Sequence, residues 1–67
     1  MPYDSVSDLP KNVRNPLPKH AQEIYMEAYN SAFDQYDGDE ERAGKVAWSA
    51  VKEKYEKGDD GDWHKKD

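Results

Sequence analysis

Asp34, Asp37, Asp39, Glu40 and Glu41 crowd the middle of the chain. Carboxylates at that density are the ligands that hard cations such as calcium and magnesium take. Their spacing does not make a tight site. A calcium loop sets acidic or amide side chains at alternate positions before a glycine, whereas Tyr36 stands two places after Asp34. Asp39 and Glu40 also fall where a helix begins, so capping and solubility are their expected work. Asp37, Asp39, Glu40 and Glu41 are the candidate ligands for weak calcium or magnesium binding, and no other cofactor is expected. Asp59, Asp60 and Asp62, with Gly58 and Gly61 beside them, form a second cluster to which the same reading applies.

Other reactive side chains are sparse. His20 and His64 lack the H-x-x-x-H spacing that chelates zinc, and cysteine is absent, so neither thiolate chemistry nor a disulfide is available. Ser31 and Ser49 fall inside expected helices with no base nearby in sequence, which leaves no hydrolase triad. His20 belongs to the first turn of a helix, where the macrodipole disfavours its charged form, and packing or a structural hydrogen bond is its expected role. The chain reads as non-enzymatic.

What remains is binding. Lys11, Arg14 and Lys19, with His20 beside them, are the charges between Leu9 and Gln22 and give a mildly positive end to a chain of net charge −5. Three or four cations can meet phosphates, with Lys65 and Lys66 as help, but each contact loses about 0.9 log unit of affinity per tenfold rise in salt. The overall acidity opposes such binding as well. Trp48 lies at the edge of its helix's apolar stripe. It either extends the core or, with Tyr25 or Tyr29 beside it, anchors a protein partner.

The elements that position these residues follow from periodicity. Leu17, Ala21, Ile24, Tyr25, Ala28, Tyr29, Ala32, Phe33 and Tyr36 recur at helical spacing and predict a helix from Pro18 to Tyr36, stopped at Asp37-Gly38. Ala43, Val46, Ala47, Ala50, Val51 and Tyr55 predict another, capped by Asp39, with Lys52, Lys54 and Lys57 in its C-terminal turns and Gly58 as its stop. The short connection argues for an antiparallel hairpin. A shorter helix, capped by Asp8 with Pro10 in its first turn, turns Leu9 and Val13 inward and ends near Asn15. Pro16 and Pro18, on either side of Leu17, then enforce a turn. Tyr3 to Ser5 reads as an extended arm, and Trp63, alone in a polar tail, wants burial; a cross-strand pair of these aromatics predicts a ribbon joining the ends.

The expected fold is therefore mainly α: a three-helix domain with a small two-stranded sheet formed by the N- and C-terminal arms, a single domain over residues 1–67. A chain of this size buries only about 60% of its unfolded surface, so its stability is modest. No apolar run is long enough to span a bilayer, and Met1-Pro2-Tyr3-Asp4-Ser5 holds no basic region followed by a hydrophobic stretch. A soluble, cytoplasmic, monomeric or weakly associating protein without membrane insertion is expected.

One order of motifs covers nearly the whole chain: Met1-Pro2-Tyr3, Ser7-Asp8-Leu9-Pro10, Leu17-Pro18-x-His20-Ala21, Ile24-Tyr25, Ala28-Tyr29-Asn30-x-Ala32-Phe33, Lys45-Val46-Ala47-Trp48-x-Ala50-Val51-Lys52, Gly58-Asp59-Asp60 and Trp63. It resembles the ChaB family, whose members are labelled cation transport regulators through association with a calcium (sodium)/proton antiporter. The resemblance implies three helices packed with a small sheet, and a regulator that works by binding. Relatives also occur in viral and multidomain settings suggestive of nucleic acid. Some members carry a much longer charged loop where Tyr36 to Val46 is compact here, so no role of that loop is carried over. The resulting expectation is a helical adaptor for a protein partner, by resemblance a membrane antiporter, with Lys11, Arg14, Lys19, His20 and Trp48 as the contact candidates. The alternative is a nucleic-acid-binding module using the basic patch around Lys11, Arg14 and Lys19.

Overall fold

A computed structural model describes residues 3–66; Met1 and Pro2 of the first motif, and Asp67, lie outside the described residues. Helix α1 is a single turn, Lys11–Arg14, preceded by a 3₁₀ turn at Val6–Asp8. Pro10 occupies its N-cap position in extended conformation, where the missing N–H costs nothing. Asp8 is therefore not its cap: it closes the 3₁₀ turn, with the Ser5 hydroxyl 3.5 Å from its carboxylate. Leu9 and Val13 are buried as their spacing requires.

Helix α2 spans Lys19–Gln35 and helix α3 spans Glu40–Lys54. Between them the backbone turns left-handed at Asp37 (φ 55°) and Gly38 (φ 83°), and the Gly38 N–H donates to the Phe33 carbonyl at 2.7 Å. This is the expected glycine stop, which satisfies a carbonyl that the helix end leaves open. Asp39 caps α3 by accepting from the Arg42 N–H at 3.1 Å. The core pairs large with small: α2 supplies Tyr25 and Tyr29, α3 supplies Ala43, Ala47 and Val51, and Leu17, Ala21 and Ala32 fill in around them. Among the described residues no charged side chain is buried.

The expected three helices and two-stranded sheet are present, but the sheet draws both strands from the C-terminal side. Helix α3 ends at Lys54 rather than at Gly58, because Tyr55 (φ −133°, ψ 156°) is extended and turns its ring into the core. Strand β1, Tyr55–Lys57, then pairs antiparallel with β2, Trp63–Lys65, matching Tyr55 with Lys65, Glu56 with His64 and Lys57 with Trp63. The turn between them closes on itself. Gly58 N–H donates to the Asp62 carbonyl at 2.7 Å, and Asp62 N–H donates to the Asp60 carboxylate at 3.1 Å. Trp63 consequently packs on Trp48 (centroids 5.5 Å) and not on Tyr3, which lies against Tyr29 at 4.8 Å. With Tyr25 bridging Tyr29 and Trp48 at 6.2 and 5.2 Å, five rings form one spine from the N-terminal arm to the hairpin. Such offset and edge contacts are worth about 0.5–1.5 kcal/mol each beyond burial.

Candidate partner-binding surface

The α1–α2 junction is built by its two prolines. They leave Pro16-Leu17-Pro18 without helical geometry, and Gln22 ties the turn down by donating from Nε2 to the carbonyls of Arg14 (3.1 Å) and Leu17 (2.9 Å). The Pro16 carbonyl accepts from the Trp63 N–H at 2.9 Å, so β2 lies alongside the turn. Between them opens a groove of about 500 Å³, lined by Pro16, Leu17, Pro18, Tyr55, Trp63 and Lys65, with Asn15, Asp62 and His64 completing its rim.

The basic candidates belong to this end. Lys11 and Lys19 are exposed, at the first positions of α1 and α2, and Arg14 is half-buried next to Asn15. The Arg14 Nε is buried without a hydrogen-bond partner among the described residues. His20 has the structural bond expected of it: its Nδ1 lies 3.1 Å from the hydroxyl of buried Tyr55, joining the start of α2 to β1. Ion pairs among the described residues join Arg42 to Asp39, Lys45 to Glu41 and His64 to Asp60, and none of them involves Lys11, Arg14, Lys19, Lys65 or Lys66. Among the described residues no acidic side chain pairs with this positive end.

Trp48 is not part of this cluster. It is half-buried in α3, edge-on to Tyr25, and together they floor a second groove of about 610 Å³ rimmed by Glu40, Glu41, Lys45, Ser49 and Lys52. Gly44 also lines this groove, where a Cβ would sit at an ordinary 4.0 Å from the Tyr25 hydroxyl. The ring thus extends the core and also lines an accessible surface.

The acidic candidates are occupied in helix initiation. Asp39 caps α3 and lies 3.6 Å from Arg42 Nε, Glu41 pairs with Lys45 at 3.5 Å, and Asp37 holds the left-handed turn. Among the described residues no group of three or more His, Cys, Asp or Glu side chains is placed to hold a metal ion. Asp60 accepts from the Asp62 N–H and from His64 Nε2 (3.1 Å), which hold its carboxyl below the ordinary range, in that order of effect. No helix among the described residues is long and apolar enough to cross a membrane.

Reading by helical spacing missed the wall that Tyr55, Trp63 and Lys65 make for the first groove. The signal was present as an alternation, Trp63-His64-Lys65, that sends first and third side chains to one face of a strand.

Comparison with known proteins places this geometry. The ChaB family model matches residues 9–66. The chain is 56% identical to "Putative cation transport regulator ChaB" of Escherichia coli K12, over 98% of this chain and 99% of that protein, and equally to the protein of that name in Shigella flexneri. The alignment spans 75 positions against 67 residues here, so the relative carries residues that this chain lacks. A solution structure described as the "putative cation transport regulator ChaB" superimposes with a TM-score of 0.88 at 56% identity, covering 98% of this chain and all of that one. With the family model spanning most of the sequence and the fold shared, this chain belongs to the ChaB family.

Proposed function

We propose that this protein is a non-enzymatic regulator of cation transport that acts by binding another protein at the cytoplasmic face of the membrane. The partner class that family membership suggests is a calcium or sodium/proton antiporter. One observation carries the reading: identity of 56% over nearly the full length of proteins bearing the regulator name, with the same fold. The geometry supports it, since the core is apolar and aromatic while two open grooves with charged rims leave surface for a partner. Lys11, Arg14, Lys19 and His20 flank in sequence the turn at residues 15–18 that lines one such surface, and Trp48 lines the other.

The second reading, a nucleic-acid-binding module, rests on the cations at the α1–α2 junction, which have no ion pair among the described residues. It is opposed by the net charge of −5. Crosslinked recovery of the tagged protein from detergent-solubilised membranes, with and without nuclease, separates the two. Recovery of an antiporter that survives nuclease is the expected result. Recovery only of nuclease-sensitive nucleoprotein would replace the regulator with the nucleic-acid reading.

A further inference from the structure

Groove one offers more than charge. Gly58 N–H donates to the Asp62 carbonyl and Lys66 N–H to the Lys54 carbonyl, so in this register Glu56 and His64 are the hydrogen-bonded pair between them. The main-chain groups of Trp63 and Lys65 therefore point away from β1. The Trp63 N–H is taken by the Pro16 carbonyl, whereas the Lys65 N–H, on the same edge, has no acceptor among the described residues. Pro16 and Pro18 have no N–H to offer as a facing strand, and the carbonyls of Arg14, Pro16, Leu17 and Pro18 are already bonded. The turn thus presents apolar rings, the strand presents an open amide, and Tyr55 and Trp63 form the wall between.

We infer that the outer edge of β2 and the Pro16-Leu17-Pro18 turn form a docking groove for an extended acidic segment of a partner protein. The Lys65 amide bonds its main chain, as in strand addition to a sheet edge. An apolar side chain enters against Trp63 and Pro18, and neighbouring carboxylates meet Lys65, which lines the groove, and Lys19, next in the chain to Pro18; neither has an ion pair among the described residues. Asp62 and the Asp60–His64 pair lie at the turn end of the groove and set the limit of the acidic segment there. A peptide fits better than single-stranded nucleic acid. Trp63 is half-buried against Trp48, and the open Lys65 amide beside it suits a peptide carbonyl. The inference rests on the protein-binding reading above and names the face and the partner's chemistry.

The test uses the full chain, isotopically labelled, and three probes: a capped hexapeptide alternating glutamate with leucine, its lysine counterpart, and a thymidine hexanucleotide. The glutamate peptide is expected to shift the Lys65 amide, the Trp63 indole and residues 15–19, to slow exchange of the Lys65 amide, and to bind more weakly as salt rises. Lys65→Glu and Lys19→Glu, both at exposed positions, are expected to lower its affinity about fivefold each with the rest of the spectrum unchanged. Equal binding of the lysine peptide overturns the inference, as does binding of the oligonucleotide where the glutamate peptide fails. Shifts confined to the surface around Trp48 also overturn it, yet leave the protein-binding reading standing.

Discussion

Asn30 holds Tyr3 as a neighbouring strand would: its Oδ1 accepts from the Tyr3 N–H at 2.7 Å while its Nδ2 donates to the Tyr3 carbonyl at 2.8 Å. One side-chain amide on α2 thereby satisfies both main-chain groups of the arm and seats the Tyr3 ring on Tyr29. Asn30→Asp keeps the acceptor but sets an oxygen against the Tyr3 carbonyl. That variant is expected to lose about 1–2 kcal/mol in urea unfolding. Exchange of the Tyr3 amide should rise toward that of an unstructured peptide.

Gly38, before α3, and Gly44, inside it, should respond in opposite directions. Gly38 is left-handed at φ 83°, so Gly38→Ala imposes strain of about 1 kcal/mol although its Cβ would meet the Phe33 ring at an ordinary 3.5 Å. Gly44 lies inside the helix with room for a methyl group, and Gly44→Ala is expected to stabilise by about 0.5–1 kcal/mol. Thermal unfolding of both variants checks the pair.

Burial, then the proximity of Tyr3 and Glu40, pushes the Tyr29 phenol up from 10.0 to about 12. The folded state holds this proton more tightly than the unfolded chain does. The associated stability is therefore complete below pH about 10 and is lost as pH rises toward about 12. Urea midpoints across that window should fall, and tyrosinate absorbance should show one late-titrating class. Tyr29→Phe should flatten the fall only in part, because Tyr25 is raised by burial as well.

At the hairpin turn the sign reverses. Asp60 is depressed below its ordinary 3.8, so its contribution to the turn is present above that value and is lost as pH falls through the lowered one. His64→Ala should return the carboxyl only part of the way, since the larger cause, the Asp62 N–H, remains. Gly58→Ala should act on the same pair: its Cβ would come within 2.7 Å of the His64 ring and 3.0 Å of the Asp60 carboxylate, and those side chains must part. Carboxyl titration by NMR reads both.

Helices α2 and α3 were legible because apolar spacing, the Asp39 cap and the Asp37-Gly38 stop all point the same way. The hairpin was not, because helix propensity continues through Tyr55-Glu56-Lys57 and only tertiary burial of the Tyr55 ring makes that segment extended. Pairing Tyr3 with Trp63 followed from two aromatics near the ends. It failed because Asn30, a helix side chain, satisfies the arm's backbone, and Trp48 supplies the surface that Trp63 covers. Arg14, Lys19 and His20 stand beside the proline turn in the sequence itself, so their placement at this end of the fold needed no register. The Lys65 amide was not legible, since an open strand edge depends on a register that periodicity does not encode.

Regulation of cation transport through protein contact must show in ion flux. Everted vesicles from the native cell lacking this protein should show cation/proton exchange whose rate changes when the purified chain is added, saturates with its concentration, and fails to change with a folded Lys19→Glu/Lys65→Glu variant. An exchange rate indifferent to saturating protein, for sodium and for calcium alike, would rule out regulation of such exchange by this chain.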